Sequence, residues 1–192
     1  MRSVVDIPYY FWDKALPDEA CDEIINAGLA LDNFKPAGVN SDNTIDSELR
    51  QGSIGWFPKD HTVDKLCQSY VGLANVEAKW NFIISECEKV QFSIYGLQSR
   101  YGWHRDTNVT LPEGSPIRKL SVSVQLSHPD DYEGGDFQIK NFFGTEITEN
   151  ANQLRNRGTI IVFPSYLEHQ VVPVTKGTRY SLVQWYSGPD WR

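Results

Sequence analysis

Apolar residues recur at helical spacing in two stretches of the chain, and after residue 80 they alternate in shorter runs. From Pro17 to about Ala30, the residues Cys21, Ile24, Ile25 and Gly28 fall on one helical face. Pro17, Asp18 and Glu19 suit the first turn of that helix and the positive end of its dipole. From Thr62 to Ala78, the residues Val63, Leu66, Cys67, Tyr70, Val71 and Ala74 follow an i, i+3, i+4, i+7 pattern, which predicts an amphipathic helix capped by Thr62 or Asp60. Short β-rich runs then succeed one another: Asn81–Ser85, Lys89–Tyr95, Arg100–Asp106, Lys119–Leu126, Asp136–Lys140, Thr159–Phe163, His169–Val174 and Thr178–Tyr186. Turn signals such as Glu133-Gly134-Gly135-Asp136 and Lys176-Gly177 separate them. The pattern predicts a mainly β fold with flanking α-helices, its strands forming a sandwich or barrel of the jelly-roll kind.

No repeat, low-complexity tract or charge block interrupts the chain, so residues 1–192 read as one domain. Residues 1–80 form its helical part and 81–187 its jelly-roll core. The segment Phe34–Lys59 has no clear period. Its polar run Asn40-Ser41-Asp42-Asn43-Thr44 and its apolar end Ile54-Gly55-Trp56-Phe57-Pro58 read as a mobile substrate-facing flap, or in part as a strand.

Composition narrows the function classes. Eighteen basic against 25 acidic residues give a net charge of −7, the wrong balance for binding a nucleic-acid backbone. One Met rules out a pliable Met-rich groove, and six Trp favour rigid ring packing. No uncharged stretch approaches the roughly 18 apolar residues of a membrane span. Asp6 interrupts the N-terminus before an apolar run develops, so neither a signal peptide nor a membrane location is expected. Cys21, Cys67 and Cys87 are odd in number and far apart, which reads as reduced buried thiols and a cytoplasmic protein.

Of the four histidines, His61 and His128 read as solvated surface residues. His104 and His169 lie in strand contexts, and His104 begins His104-Arg105-Asp106. Residues two apart in a strand share a face, so His104 and Asp106 can address one ion, with His169 completing the set from a later strand. Two histidines and one carboxylate with open positions left over is the ligand set of non-haem Fe(II) oxygenases. By itself a His-x-Asp pair is a common coincidence. Arg179, ten residues after His169, shares a face with Ser181, Val183 and Trp185, and its guanidinium can grip a carboxylate bidentately. The other reading of Arg179 is a surface cation on an edge strand.

The run Tyr101-Gly102-Trp103-His104-Arg105-Asp106, the stretch from Leu120 to Phe137 and the stretch from Gly158 to Arg179 resemble iron(II)/2-oxoglutarate-dependent dioxygenases. Within that family the chain is similar to the prolyl-4-hydroxylase-like branch, including PKHD-type hydroxylases, from about Val90 to Trp185. The resemblance implies a double-stranded β-helix (jelly-roll, cupin-like) barrel and the cofactors Fe(II), 2-oxoglutarate and O2, with ascorbate (vitamin C) as reductant. It implies that His104, Asp106 and His169 hold the iron and are the catalytic set. Arg179 would anchor the distal carboxylate of 2-oxoglutarate, Tyr95 and Ser181 would hydrogen-bond it, and Gln125 stands where some relatives carry a cosubstrate-binding tyrosine. The reaction implied is hydroxylation of an unactivated C–H with release of succinate and CO2.

A prolyl residue of a peptide or protein is the leading substrate; a free amino acid or small metabolite is the alternative. Tyr101, Trp103, Trp56 and Trp185 could wall a substrate groove, or could be core. Two readings from other classes remain: a jelly-roll that only binds a ligand, and a zinc hydrolase. The hydrolase would need a general base beside the metal, and Glu168 points to the strand face opposite His169.

Overall fold

The computed structural model describes residues 7–37, 48–107 and 114–190. A short aromatic strand, β1 (Tyr10–Trp12), precedes helix α1 (Asp18–Leu29). Strands β2 (Lys35–Pro36), β3 (Arg50–Gln51) and β4 (Ser53–Trp56) lead into helix α2 (Thr62–Glu77). Then come β5 (Glu86–Cys87), β6 (Gln91–Tyr95), β7 (Arg100–His104) and β8 (Ile117–Gln125). After a 3-10 turn at Pro129–Asp131 follow β9 (Tyr132–Gly134), β10 (Phe137–Ile139) and the short helix α3 (Ala151–Arg155). Strands β11 (Ile160–Pro164), β12 (His169–Val171), β13 (Val174–Gly177) and β14 (Arg179–Gly188) complete the series.

An eight-stranded sheet runs β1-β11-β8-β14-β6-β4-β2, with β5 added to β14, and a four-stranded sheet runs β10-β12-β7-β3. Strands β9 and β13 form a separate ribbon. This is the jelly-roll arrangement that the run of short strands predicts. The two sheets are open layers, and no strand pair among the described residues joins them into a closed barrel.

Strand β8 shows how the layers are held. Its Leu120, Val122 and Val124 pack with Ile160 and Val162 of β11 and with Cys21, Cys67, Val71 and Ala74 of the two helices. Each fully buried Val, Leu or Ile side chain contributes about 1.5–3 kcal/mol. The alternating residues Ser121, Ser123 and Gln125 are equally buried but belong to the opposite face, toward the small sheet. Helix α1 comes so close to β6 that a Cβ at Gly28 would stand 2.6 Å from the Phe92 ring. That approach is why a glycine occupies the buried face of α1.

Several local expectations need correction. His61, not Thr62 or Asp60, caps α2: its Nδ1 accepts the Val63 N–H at 3.3 Å. Thr62 already belongs to the helix, and Asp60 sits in the left-handed region at φ 65°. His128 likewise caps the 3-10 turn, its Nδ1 accepting the Asp130 N–H at 3.3 Å. Residues 81–85 are not a strand, because the Asn75 side chain takes both the N–H and the carbonyl of Phe82. In the segment read as a flap or in part a strand, residues 35–36, 50–51 and 53–56 are strands, with β4 paired to β6. The polar run Asn40–Thr44 lies outside the described residues. All three cysteines are free, and no helix among the described residues is long and apolar enough to cross a membrane.

Candidate active site

The two sheets face each other across a narrow cavity of about 30 Å³. Strands β6, β8 and β14 supply one wall and β3, β7, β10 and β12 the other. His104 and His169 are direct register partners on the antiparallel strands β7 and β12, so their rings meet with centroids 4.2 Å apart. Asp106 follows the end of β7 and is held there by its N–H, which donates to the Ser165 carbonyl at 2.9 Å. Its Oδ1 lies 3.5 Å from His104 Nε2 and its Oδ2 3.4 Å from His169 Nε2. One ligand atom from each of the three residues falls within 4.8 Å of the others.

The hydrogen bonds around this cluster orient it. His104 Nδ1 lies 2.8 Å from the Gly102 carbonyl and His169 Nδ1 3.0 Å from the Leu167 carbonyl. A carbonyl can only accept, so each Nδ1 carries a proton and each Nε2 is directed at Asp106. The Ser121 hydroxyl donates to Asp106 Oδ2 at 2.7 Å and also meets the Ser165 hydroxyl at 2.9 Å. Burial raises the Asp106 carboxyl, but His169, His104 and Ser121 outweigh it and hold the group well below the usual carboxylate range. Burial pushes His169 down to about 4, against the opposing pull of Asp106. Two imidazole Nε2 atoms and an ionised carboxylate are a ligand set suited to one divalent cation of the first transition row. Among the described residues no other group of three such side chains converges.

Arg179 opens β14 on the opposite wall and is 1% exposed. Gly135, at φ 65°, packs against it where a Cβ would come within 3.2 Å of Arg179 Cδ. The guanidinium lies 5.2 Å from the Tyr95 ring centre, and Nη1 is 3.4 Å from the Ser181 hydroxyl. Its Nε and Nη2 both donate to Gln125 Oε1, at 3.1 and 2.6 Å. Among the described residues no carboxylate pairs with it. A buried guanidinium with neutral hydrogen-bond partners has the chemistry to pair with an anion, and the surface-cation reading of Arg179 is excluded by its burial.

Of the other residues singled out in the sequence, Tyr95, Ser181, Tyr101 and Trp185 line the cavity. Tyr101 stacks on His104 at 3.4 Å, and burial pushes its hydroxyl up to about 12. Gln125 is not on the wall; it stands behind Arg179. Trp103, next to His104 in the strand, takes the other face and lies under Lys140 Nζ at 4.1 Å. Trp56 lies further out on β4, with Lys35 Nζ 4.7 Å from its ring centre. Neither Trp103 nor Trp56 lines the cavity. The Glu168 carboxylate pairs with Lys140 at 3.0 Å and Arg105 at 3.4 Å, so a hydrolase would find no base there.

Sequence reasoning missed four residues at the centre. Phe137 and Phe163 flank His169 with centroids at 5.8 and 4.6 Å. Arg50 lies over the Tyr101 ring at 4.4 Å, its Nη2 3.4 Å from Gln91 Oε1. Ser121 is the fourth, and it had a signal: Ser121-Val122-Ser123-Val124-Gln125 alternates polar and apolar residues in a strand flanked by elements on both sides. Arg50 had none, because its segment shows no period.

The family model described as 2OG-Fe(II) oxygenase superfamily matches residues 90–187. A PKHD-type hydroxylase of Pseudomonas putida (strain W619) is 35% identical over 94 residues, covering 47% of this chain and 39% of that protein. Another, from Azoarcus sp. (strain BH72), is 41% identical over 86 residues, covering 44% of this chain and 36% of that protein. The matched stretch is thus less than half the length of either relative. Among solved structures, the viral collagen prolyl hydroxylase of Paramecium Bursaria Chlorella virus-1 superposes with a TM-score of 0.68 at 23% identity, covering 95% of this chain and 97% of that one. A Trichoplax adhaerens prolyl hydroxylase, solved with a hypoxia inducible factor peptide fragment, gives 0.72 at 18% identity, covering 94% and 83%. These likenesses establish the fold.

Proposed function

The chain belongs to the 2OG-Fe(II) oxygenase superfamily, and on that premise we propose that it is a dioxygenase that hydroxylates an unactivated C–H, with a prolyl residue of a peptide or protein as substrate. The observation that carries this reading is the single cavity shared by the His104–Asp106–His169 cluster and the buried Arg179. His104 and His169 would hold Fe(II) through Nε2, and Asp106 through one carboxylate oxygen. With 2-oxoglutarate and O2 the metal supplies oxidative decarboxylation to succinate and CO2, coupled to C–H hydroxylation.

The chain's own groups do the binding and orienting. Ser121 fixes the rotamer of Asp106 through its Oδ2, and the two backbone carbonyls fix the imidazole rings. Arg179 would receive the far carboxylate of 2-oxoglutarate, with the Ser181 hydroxyl beside it and Tyr95 closing that end. Phe137 and Phe163 exclude water around His169. Trp185 Nε1 is buried on the wall without a hydrogen-bond partner among the described residues, a donor that a substrate carbonyl would satisfy. The prolyl preference is supported by the PKHD-type and prolyl-hydroxylase relatives.

The test is succinate release under Fe(II), 2-oxoglutarate and ascorbate, screened over proline-containing peptides and free amino acids. Mass spectrometry should show a gain of one oxygen atom on a peptide prolyl residue, and His169→Ala should abolish it. Product only on a free amino acid would replace the substrate assignment. Hydroxylation surviving in His169→Ala would remove the metal assignment.

A further inference from the structure

Arg179 carries a second message in the way it is held. Its guanidinium has two edges able to take a carboxylate in parallel hydrogen bonds. The Nε–Nη2 edge is already taken: Gln125 Oε1 accepts both N–H groups, at 3.1 and 2.6 Å. Gln125 is 2% exposed and does not reach the cavity, whereas Ser181, 3.4 Å from Nη1, lies on its wall. The glutamine is itself held, since its Nε2 donates to the Ser123 hydroxyl at 3.3 Å. That bond fixes the amide oxygen toward the arginine. Residues Arg179, Gln125 and Ser123 therefore form a chain of hydrogen bonds along one wall, with Arg179 and Ser123 on the cavity and Gln125 set back between them, and Nη1 with Ser181 lies on the cavity side of the guanidinium.

We propose that Gln125 is the positioning residue for cosubstrate selection. It grips Arg179 from behind, directs Nη1 and the Ser181 hydroxyl at the distal carboxylate of the 2-oxo acid, and leaves the guanidinium charge unbalanced for that carboxylate to meet. The inference rests on Arg179 being the cosubstrate anchor, as proposed above. The choice of an amide is what matters. A glutamate of the same shape would form a buried ion pair with Arg179, and the incoming dianion would then face a neutralised site. An apolar side chain of similar length would leave the guanidinium charged but free to turn. The glutamine holds the group still without consuming its charge, which favours a 2-oxo acid with a second carboxylate over one without it.

The experiment compares 2-oxoglutarate with 2-oxobutanoate, which has the same keto-acid end and no distal carboxylate. Both are titrated by calorimetry into Mn(II)-loaded wild type, Gln125→Glu, Gln125→Met and Arg179→Met, with thermal melts of each variant to confirm folding. Gln125→Glu should weaken 2-oxoglutarate by about 100-fold or more, the scale of losing a buried charge pair. Gln125→Met should weaken it by about 10-fold, the scale of one buried hydrogen-bonding group. Neither should change 2-oxobutanoate or Mn(II) affinity by more than about threefold. Equal weakening of both 2-oxo acids would make Gln125 a packing residue and overturn the proposal. If Arg179→Met loses the preference for 2-oxoglutarate while both Gln125 variants keep it, Arg179 stands as anchor and the role of Gln125 is refuted. If Arg179→Met keeps wild-type 2-oxoglutarate affinity, the anchor reading itself falls, and with it this one.

Discussion

Replacing Arg179 by methionine separates what the guanidinium does for the folded chain from what it does for a ligand. In the ligand-free protein the group is 1% exposed, and among the described residues it is hydrogen-bonded only to the Gln125 amide oxygen and the Ser181 hydroxyl. Removing it relieves the desolvation of a buried charge. It also strips Gln125 Oε1 of both donors, and an unsatisfied buried acceptor costs about 1–3 kcal/mol. The two effects oppose, and the unbranched methionine fills much of the same path, so ligand-free stability should stay within about 1.5 kcal/mol of wild type. No such offset exists once the ligand binds. Losing one partner of a buried charged pair costs about 2–5 kcal/mol, which at about 1.4 kcal/mol per decade is a 30- to 4,000-fold loss of 2-oxoglutarate affinity. Thermal and urea melts with Mn(II) read both sides at once. At 100 times its dissociation constant, 2-oxoglutarate should stabilise wild type by about 2.7 kcal/mol, and the same concentration should give Arg179→Met less than about 1 kcal/mol. A variant whose dissociation constant stays within about threefold of wild type would refute the reasoning, because truncating one partner of a buried charged pair costs more than that.

Three further outcomes follow from the geometry. Ser121→Ala frees Asp106 Oδ2 and should lower Mn(II) or Co(II) affinity by about 10- to 100-fold, with Ser121→Thr restoring it; unchanged affinity by calorimetry would remove Ser121 from the site. Gly28→Ala drives a methyl to 2.6 Å from the Phe92 ring and should cost about 1–3 kcal/mol in urea unfolding, while an unshifted midpoint would contradict the close packing of α1 on β6. Burial pushes the Cys67 thiol up to about 12, so in the native protein near pH 8 a thiol reagent should react at the part-exposed Cys87 and spare Cys67; equal rates would contradict that burial.

The helices were legible because each carries a long apolar stripe, and α2 runs Thr62–Glu77 against the predicted Thr62–Ala78. The longer strands β6, β8, β11 and β14 were legible for the same reason, since their alternation persists over five or more residues. Strands β1, β2, β3, β5 and β9 span two or three residues, too few to show a period, and exist through their partners, as β1 does through β11. The three metal-ligand candidates and Arg179 could be read because strand periodicity and motif agreed. Trp103 was read as groove wall or core, and the period that places its neighbour His104 on one face puts it on the other. Gln125 was placed near the cosubstrate from its alignment with a tyrosine, and only the side-chain geometry shows that its Oε1 accepts from Arg179.

The double life of β8 has a consequence for how this protein can vary. Val122 and Val124 are spent on cohesion with the helices, while Ser121, Ser123 and Gln125 between them serve the cavity. Neighbouring positions on one strand are therefore exposed to different kinds of selection. In a saturation library, substitutions at the valines should appear as loss of protein abundance, and those at the intervening polar positions as abundant but inactive protein. The two phenotypes would alternate residue by residue, so that the pleat of a single β-strand is written out as a two-residue rhythm in the fitness record.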